Sequence, residues 1–259
     1  MREKILDCRN FETTLKSLED ILGVEKRKIT KYIASNKDNV DVEEFLDEIG
    51  VENPIISHIV IQHLTTAFDE CESIKKYGIV NTKKVLEWDT SLNRFLKENN
   101  IYFDFTNDNV KLFFKSKEIK LVKHDSFNRN LTLHKLTTDF RINGFLKVES
   151  ILKYSYIQKC PEIINAISEI TDSTLIYKWF KITKPYLVFC KIPLNSISSY
   201  ITFYDSELEL DDIEKSQKLL DIALQYLESE NTREEIIYLN NEYEIQKEDI
   251  IETIKLERI

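Results

Sequence analysis

The chain has 259 residues, of which 42% are hydrophobic and 31% charged, with a net charge of −9. That composition is enough for a sizeable core and is ordinary for a globular protein. It contains no apolar run of about 18 residues that would span a membrane, and its acidity argues against broad affinity for nucleic acid or anionic lipid.

The four cysteines, Cys8, Cys71, Cys160 and Cys190, are far apart in sequence, and the four histidines form no metal-ligand pair. A reduced cytoplasmic setting without disulfides or zinc is expected. The N-terminal stretch lacks an apolar segment, so no signal peptide is expected. Only four glycines occur, Gly23, Gly50, Gly78 and Gly144. The glycine-rich phosphate loops of dinucleotide and P-loop folds are therefore excluded.

In chain order, residues 10–50 read as three helices. Asn10 is a candidate N-cap, Phe11, Leu15, Leu18, Ile21 and Leu22 form an apolar stripe, and Gly23 is a stop. A second helix follows through Ile29, Tyr32 and Ile33, and a third, acidic one ends at Gly50. Asn53-Pro54 marks a break. Residues 1–52 are thus expected to be an N-terminal helical cap, and 53–259 the main domain.

"IISHIVIQH" (55–63) reads as a β-branched strand ending on His63. "AFDECESIKKYG" reads as a helix closed by Gly78, and "NTKKVLEWDTSLNRFLKENN" as a helix pair with an N-cap at Asp89-Thr90. "IYFDFTNDNVKLFFKSKEIKLV" reads as a hairpin turned at 107–109, and His134 in "LTLHKLTT" alternates as in a strand. "FRINGFLKVESILKYSYI" reads as a strand through Gly144 and then a helix. A helix opened by Pro161 comes next, then strands at "YLVFCKIPL" and "SYITFYD". A long helix with acids at its start spans "DDIEKSQKLLDIALQYLESEN". Late strands lie at "REEIIYLN", at "YEI" and near the C-terminus. The layout is α+β, without strict βαβ alternation.

Charge is uneven. Residues 111–141 hold eight basic against three acidic residues. This is either a solvated face or a local phosphate-binding groove.

Three stretches carry a resemblance. "H-x-T" at His63 and Thr65 is followed by Ile74, Gly78 and Ile79. "NGFLKVESILKYSYI" (143–157) holds Gly144, Phe145, Tyr154 and Tyr156. "TREEIIYLNNEYEIQKEDIIETIKLE" (232–257) holds Glu235, with Glu234 as its rival. Their order and residue types resemble the ADP-ribosyltransferase superfamily, and the branch with a His-Tyr-Glu triad has a tyrosine where this chain has Phe145. The resemblance implies a mostly antiparallel split sheet with helices, and NAD as the substrate that donates ADP-ribose. His63 and Thr65 would hold a ribose, with Gly144 and Phe145 at the neighbouring strand. Tyr154 or Tyr156 would stack on nicotinamide, and Glu235 would oppose the oxocarbenium-like charge. Arg94, Arg129 or Arg141 would meet the pyrophosphate. No metal is implied. The implied activity is transfer of ADP-ribose to a nucleic acid or protein by a cytoplasmic toxin or anti-phage effector, with a cognate antitoxin or regulatory protein as a further partner. The alternative is a non-catalytic nucleotide-binding or interaction module that kept the fold.

Overall fold

The computed structural model describes residues 3–106, 110–121, 127–148, 159–198, 202–203, 210–229 and 235–258, with backbone alone at 128 and 129. The fold is mixed α+β. The larger sheet has the strand order β8-β6-β2-β7-β9, and β1 pairs with β2. Its strands are β1 (Ile5–Leu6), β2 (His58–Ala67), β6 (Asn143–Phe145), β7 (Lys184–Pro193), β8 (Ile236–Tyr238) and β9 (Ile250–Lys255). A second sheet joins β3 (Ile101–Asp104), β4 (Lys111–Phe114) and β5 (Lys117–Ile119) in that order. β1 runs parallel to β2, whereas β2–β6, β6–β8 and both pairs of the small sheet are antiparallel.

The chain divides into two compact units, one of residues 1–63, 143–150 and 189–240, the other of residues 64–142, 151–188 and 241–259. In the first unit the helices start and stop where their caps dictate. For α1 (Phe11–Leu22), Asn10 accepts from the Thr13 amide at 2.9 Å, Thr13 Oγ1 accepts from the Asn10 amide at 3.2 Å, and Gly23 ends the helix at φ +70°. This reciprocal pairing satisfies two otherwise unpaired helix donors. Leu15, Leu18, Ile21 and Leu22 are buried, but Phe11, expected in the same stripe, is 50% exposed. α2 (Lys26–Ser35) buries Ile29 and Tyr32. The Tyr32 ring lies 4.6 Å from that of Phe45 in α3 (Val42–Ile49), which Asp41 caps and Gly50 ends.

The long C-terminal helix of this unit spans Asp212–Glu228. Asp211 accepts from the amides of Ile213 and Glu214 at 2.8 and 2.9 Å, and Glu214 returns the bond to the Asp211 amide. This helix, α10 in the order used below, packs on α1, α2 and α3 through Leu219, Leu220, Ala223 and Leu224.

The second unit is built around Trp179, which is fully buried on α9 (Leu175–Ile182). Phe95, Leu92 and Leu96 of α6 (Ser91–Glu98), Leu86 of α5 (Thr82–Glu87), Ile163, Ile164 and Ile167 of α8 (Glu162–Ile170), and Ile101 and Leu112 of the small sheet surround it. The Phe95 and Trp179 rings meet edge to face at 4.9 Å, a favoured aromatic geometry. Trp179 Nε1 donates to Thr66 Oγ1 at 2.9 Å, so its one polar atom is satisfied inside the core.

α4 (Glu72–Tyr77) is shorter than expected, because Glu70 and Cys71 before it hold left-handed φ values of +52° and +62°. It ends at Gly78, with φ +81° and ψ −166°. Ile79 and Ile245 then exchange both backbone hydrogen bonds at 3.0 Å. A Cβ at position 78 would run into the Ile245 carbonyl. Glu244 is held alongside by Lys84 at 2.5 Å and by the Asn81 side chain at 3.1 Å.

Several expectations are corrected. β2 does not end on His63 but continues through Leu64, Thr65, Thr66 and Ala67. His134 lies on α7 (Phe127–Thr137), not on a strand, and its Nδ1 bonds Thr138 Oγ1 at 2.8 Å. The hairpin gains a third strand through a turn at Lys115–Ser116. The Thr202 amide donates to the Ser198 carbonyl oxygen at 3.1 Å, and the strand expected over 199–205 otherwise lies outside the described residues except for 203. Among the described residues no helix is long and apolar enough to cross a membrane. All four cysteines are buried, and burial pushes the Cys71 thiol up to about 12 and the Cys160 thiol up to about 11.

Candidate functional site

The resemblance-bearing residues of the first unit converge on β2, β6 and β8, which are neighbours in the sheet. Gln62 of β2 pairs with Phe145 of β6, and Phe145 pairs with Ile236 of β8. Cross-strand partners share a face and consecutive residues alternate. Gln62, Phe145 and Ile236 therefore lie on one face, while His63, Gly144 and Ile237 lie on the other. The β6–β8 ladder extends by one bond, from the Leu146 amide to the Glu235 carbonyl at 3.0 Å. That bond sets Glu235 opposite Leu146, on the same face as His63. Two strand spacings and a two-residue offset separate the His63 and Glu235 α-carbons by roughly 12 Å.

His63 is half-buried, and its Nδ1 lies 2.8 Å from the Asn143 carbonyl oxygen. A carbonyl only accepts, so Nδ1 carries the proton and Nε2 is left as an acceptor. Burial lowers the imidazole pKa, and the Asn143 bond opposes that only in part. The ring is consequently neutral at pH 7. Asn143 was not among the expected residues. Its contribution is a backbone carbonyl, which carries no side-chain signal in a sequence.

Gly144 is set by close approach. A Cβ there would lie 3.0 Å from Ile61 Cδ1 and 3.2 Å from the Gln62 carbonyl oxygen. Ile61 thus leans over Gly144 on the face that carries His63 and Glu235, and Ile61, Leu146 and Ile237 are each fully buried. Glu235 is half-buried, and its amide donates to the Tyr226 hydroxyl oxygen at 3.4 Å.

Phe145 is 5% exposed and faces away from His63. Its ring is part of the packing. Tyr154, Tyr156 and Glu234 lie outside the described residues, as does the Arg129 side chain. Thr65, half-buried, follows His63 two residues along β2 and so shares its side of the strand. Thr66 is buried and accepts the Trp179 bond, which gives it a structural role.

Arg94 belongs to the second unit and is committed to carboxylates. Its Nη2 meets Asp69 Oδ2 at 3.0 Å and its Nη1 meets Asp89 Oδ1 at 3.2 Å. These groups, with Ser73, Glu72, Lys75 and Lys76, line an open cavity of about 290 Å³. Ser73 Oγ donates to Asp69 Oδ2 at 2.5 Å, and Lys75 pairs with Glu72 at 2.9 Å. The cavity is thus largely self-neutralised. Arg141, also of the second unit, is exposed.

No family model, curated protein or solved structure matches the chain. Among the described residues no group of three His, Cys, Asp or Glu is arranged to hold a metal ion.

Proposed function

We propose that the chain is an NAD-dependent ADP-ribosyltransferase with a split, mostly antiparallel sheet. One observation carries the reading. Three stretches far apart in sequence meet on the adjacent strands β2, β6 and β8, with His63 and Glu235 on one face. NAD would supply the ADP-ribosyl group and the nicotinamide leaving group. The His63 Nε2 lone pair is suited to accept from a ribose hydroxyl, because Nδ1 is tied to Asn143 and the ring is neutral. The Glu235 carboxylate would oppose positive charge at the anomeric carbon and accept from the ribose 2′-hydroxyl. Gly144 lets β6 approach β2 closely. The acceptor is a nucleic acid or a protein, and a toxin or anti-phage role with a restraining partner fits such an activity.

The second reading, a binding module without turnover, is favoured by the packing of Phe145 on the opposite face and by Ile61 lying over Gly144. The ring that the triad pattern wants at this position has no access to a ligand held by His63.

Purified protein incubated with labelled NAD and, separately, with DNA, RNA and cell protein distinguishes the two. Transfer lost in Glu235→Gln and His63→Ala supports the transferase. Transfer that both substitutions leave intact refutes the assigned site. Absence of transfer, with calorimetric NAD binding that His63→Ala abolishes, selects the binding module, and absence of both rejects the two readings together.

A further inference from the structure

The first two helices of the chain, both in the first unit, are joined by a short fixed turn. α1 ends at Leu22 and α2 begins at Lys26, so only Gly23, Val24 and Glu25 lie between them. Gly23 holds φ +70°, which turns the chain sharply, and the two helices pack directly on one another. Two helices joined by a turn of three or four residues, often with a glycine, are the frame that places its second helix in the major groove of DNA.

α2 has the two faces that such a placement needs. With 3.6 residues per turn, Arg27, Thr30, Lys31 and Ala34 form one stripe, and all four are exposed. Exposed Lys28 stands at the edge of that stripe. Ile29 and Tyr32 project from the opposite side and are buried. α3 meets α2 on that buried side, where the Tyr32 ring packs on Phe45 and the Tyr32 hydroxyl donates to the Asp41 carbonyl at 2.8 Å. The acidic residues of α3 therefore stand behind α2 rather than on its outer stripe.

Helix stability does not explain the charge on this face. α2 carries four basic residues and no acidic one in ten positions, within a chain of net charge −9. Lys26, Arg27 and Lys28 fill its first turn, where the helix dipole favours acids. Lys31 stands three residues from Lys28 and four from Arg27, spacings at which like charges repel. Lys26 pairs with Glu12 of α1 at 3.6 Å, and Glu25 precedes the helix without capping it. Among the described residues Arg27, Lys28 and Lys31 make no ion pair. Three uncompensated cations thus share one side of one helix.

A cationic helix face of this composition matches duplex DNA. A single strand would need rings to stack on, and a membrane surface would need apolar anchors; the outer stripe offers neither. Ten residues span about 15 Å, and the major groove, about 12 Å wide, admits a helix. Arg27 and Lys31 are suited to guanine O6 and N7, the Ala34 methyl to thymine, and Lys28 at the edge to a phosphate. The Thr30 hydroxyl donates within the helix, to the Lys26 and Arg27 carbonyls at 3.2 Å, which leaves its oxygen to accept from a base. Sequence-blind affinity is not implied, because the rest of the chain is acidic. We infer that α1 and α2 form a helix-turn-helix whose second helix enters the major groove of duplex DNA, with Arg27, Thr30 and Lys31 reading base edges and Lys28 holding the backbone. The surface uses no residue of the proposed NAD site, so either inference stands or falls without the other.

Selection by gel shift from a duplex library with a randomised core, on the full chain and without NAD, tests this. A short enriched sequence is expected. Fluorescence anisotropy with that duplex, end-labelled, and with a scrambled duplex of the same composition then reads the contacts. Arg27→Ala and Lys31→Ala are each expected to weaken the selected duplex by roughly 5–150-fold and to erase part of its advantage over the scrambled one. Lys28→Ala is expected to weaken both duplexes alike and to flatten the slope of log affinity against log salt by about 1. Alanine is the best helix former, so these exposed substitutions leave α2 folded, with circular dichroism identical to wild type. Failure to enrich any sequence, an enriched duplex bound equally by wild type and all three variants, or tighter binding of the single strand or of a polyglutamate peptide than of the duplex would each overturn the inference.

Discussion

Replacing Gly78 by alanine puts a methyl group where the Ile245 carbonyl sits. Two costs add. The backbone at φ +81° and ψ −166° lies in a region open essentially to glycine alone, which costs a side-chain-bearing residue about 1–3 kcal/mol. To relieve the clash the 245 segment must retreat, and the two 3.0 Å bonds between Ile79 and Ile245 then lengthen or break. At about 0.5–1.5 kcal/mol each these contribute a further 1–3 kcal/mol, so the total is about 2–6 kcal/mol. Gly23→Ala is the control. It has φ +70° but nothing within 4 Å of the added methyl, so only the left-handed penalty of about 1–2 kcal/mol applies. Urea denaturation followed by far-UV circular dichroism measures both variants. Both tryptophans, Trp88 and Trp179, belong to the second unit and report on Gly78→Ala by fluorescence as well. A Gly78→Ala loss no larger than that of Gly23→Ala would refute the close-approach argument.

Three further outcomes are expected. The depressed pKa of His63 means that the unfolded chain binds more protons than the folded one below the ordinary histidine value of 6.5. Its contribution to stability is therefore complete above that pH and is lost as pH falls through and below it. The stability difference between wild type and His63→Gln, measured by urea titration at pH 7.5 and 5, should shift against wild type at the lower pH. Asp211→Ala removes the acceptor for two amides of α10 and should cost about 1 kcal/mol, while Asp211→Asn costs a few tenths, by the same titration. Trp179→Phe and Thr66→Val each strand one partner of a buried hydrogen bond at about 1–3 kcal/mol. The double substitution should cost less than the two together, which a double-mutant cycle reads directly.

What the sequence shows and what it hides follow the range of the interactions involved. α1 and α10 are legible because their caps, Asn10 with Gly23 and Asp211 with Glu214, lie within the helix that they end. β1 is invisible, since two residues become a strand only by pairing with His58 and Ile59 some fifty positions away. The continuation of β2 past His63 depends on Thr66 finding Trp179, which is 113 residues distant. α7 misleads because "LTLHKLTT" alternates apolar and polar residues, yet Thr132 and Leu136, four apart, are the positions it buries. For the candidate site, the residue types at 63, 144 and 235 were readable. Their meeting on three adjacent strands was not, nor was the orienting Asn143 carbonyl, because both depend on strand register. Phe145 was readable as a ring but not as one facing away, since a one-residue register step decides its side.

The four buried cysteines make the native protein its own opening gauge. Cys8 and Cys190 lie in one compact unit, Cys71 and Cys160 in the other. A thiol held away from solvent, with its ionisation suppressed by burial as at Cys8, Cys71 and Cys160, reacts with an alkylating reagent only when its surroundings open. Pulsed alkylation read by peptide mass would therefore time-stamp each unit's excursions separately, two clocks apiece, without a single engineered label.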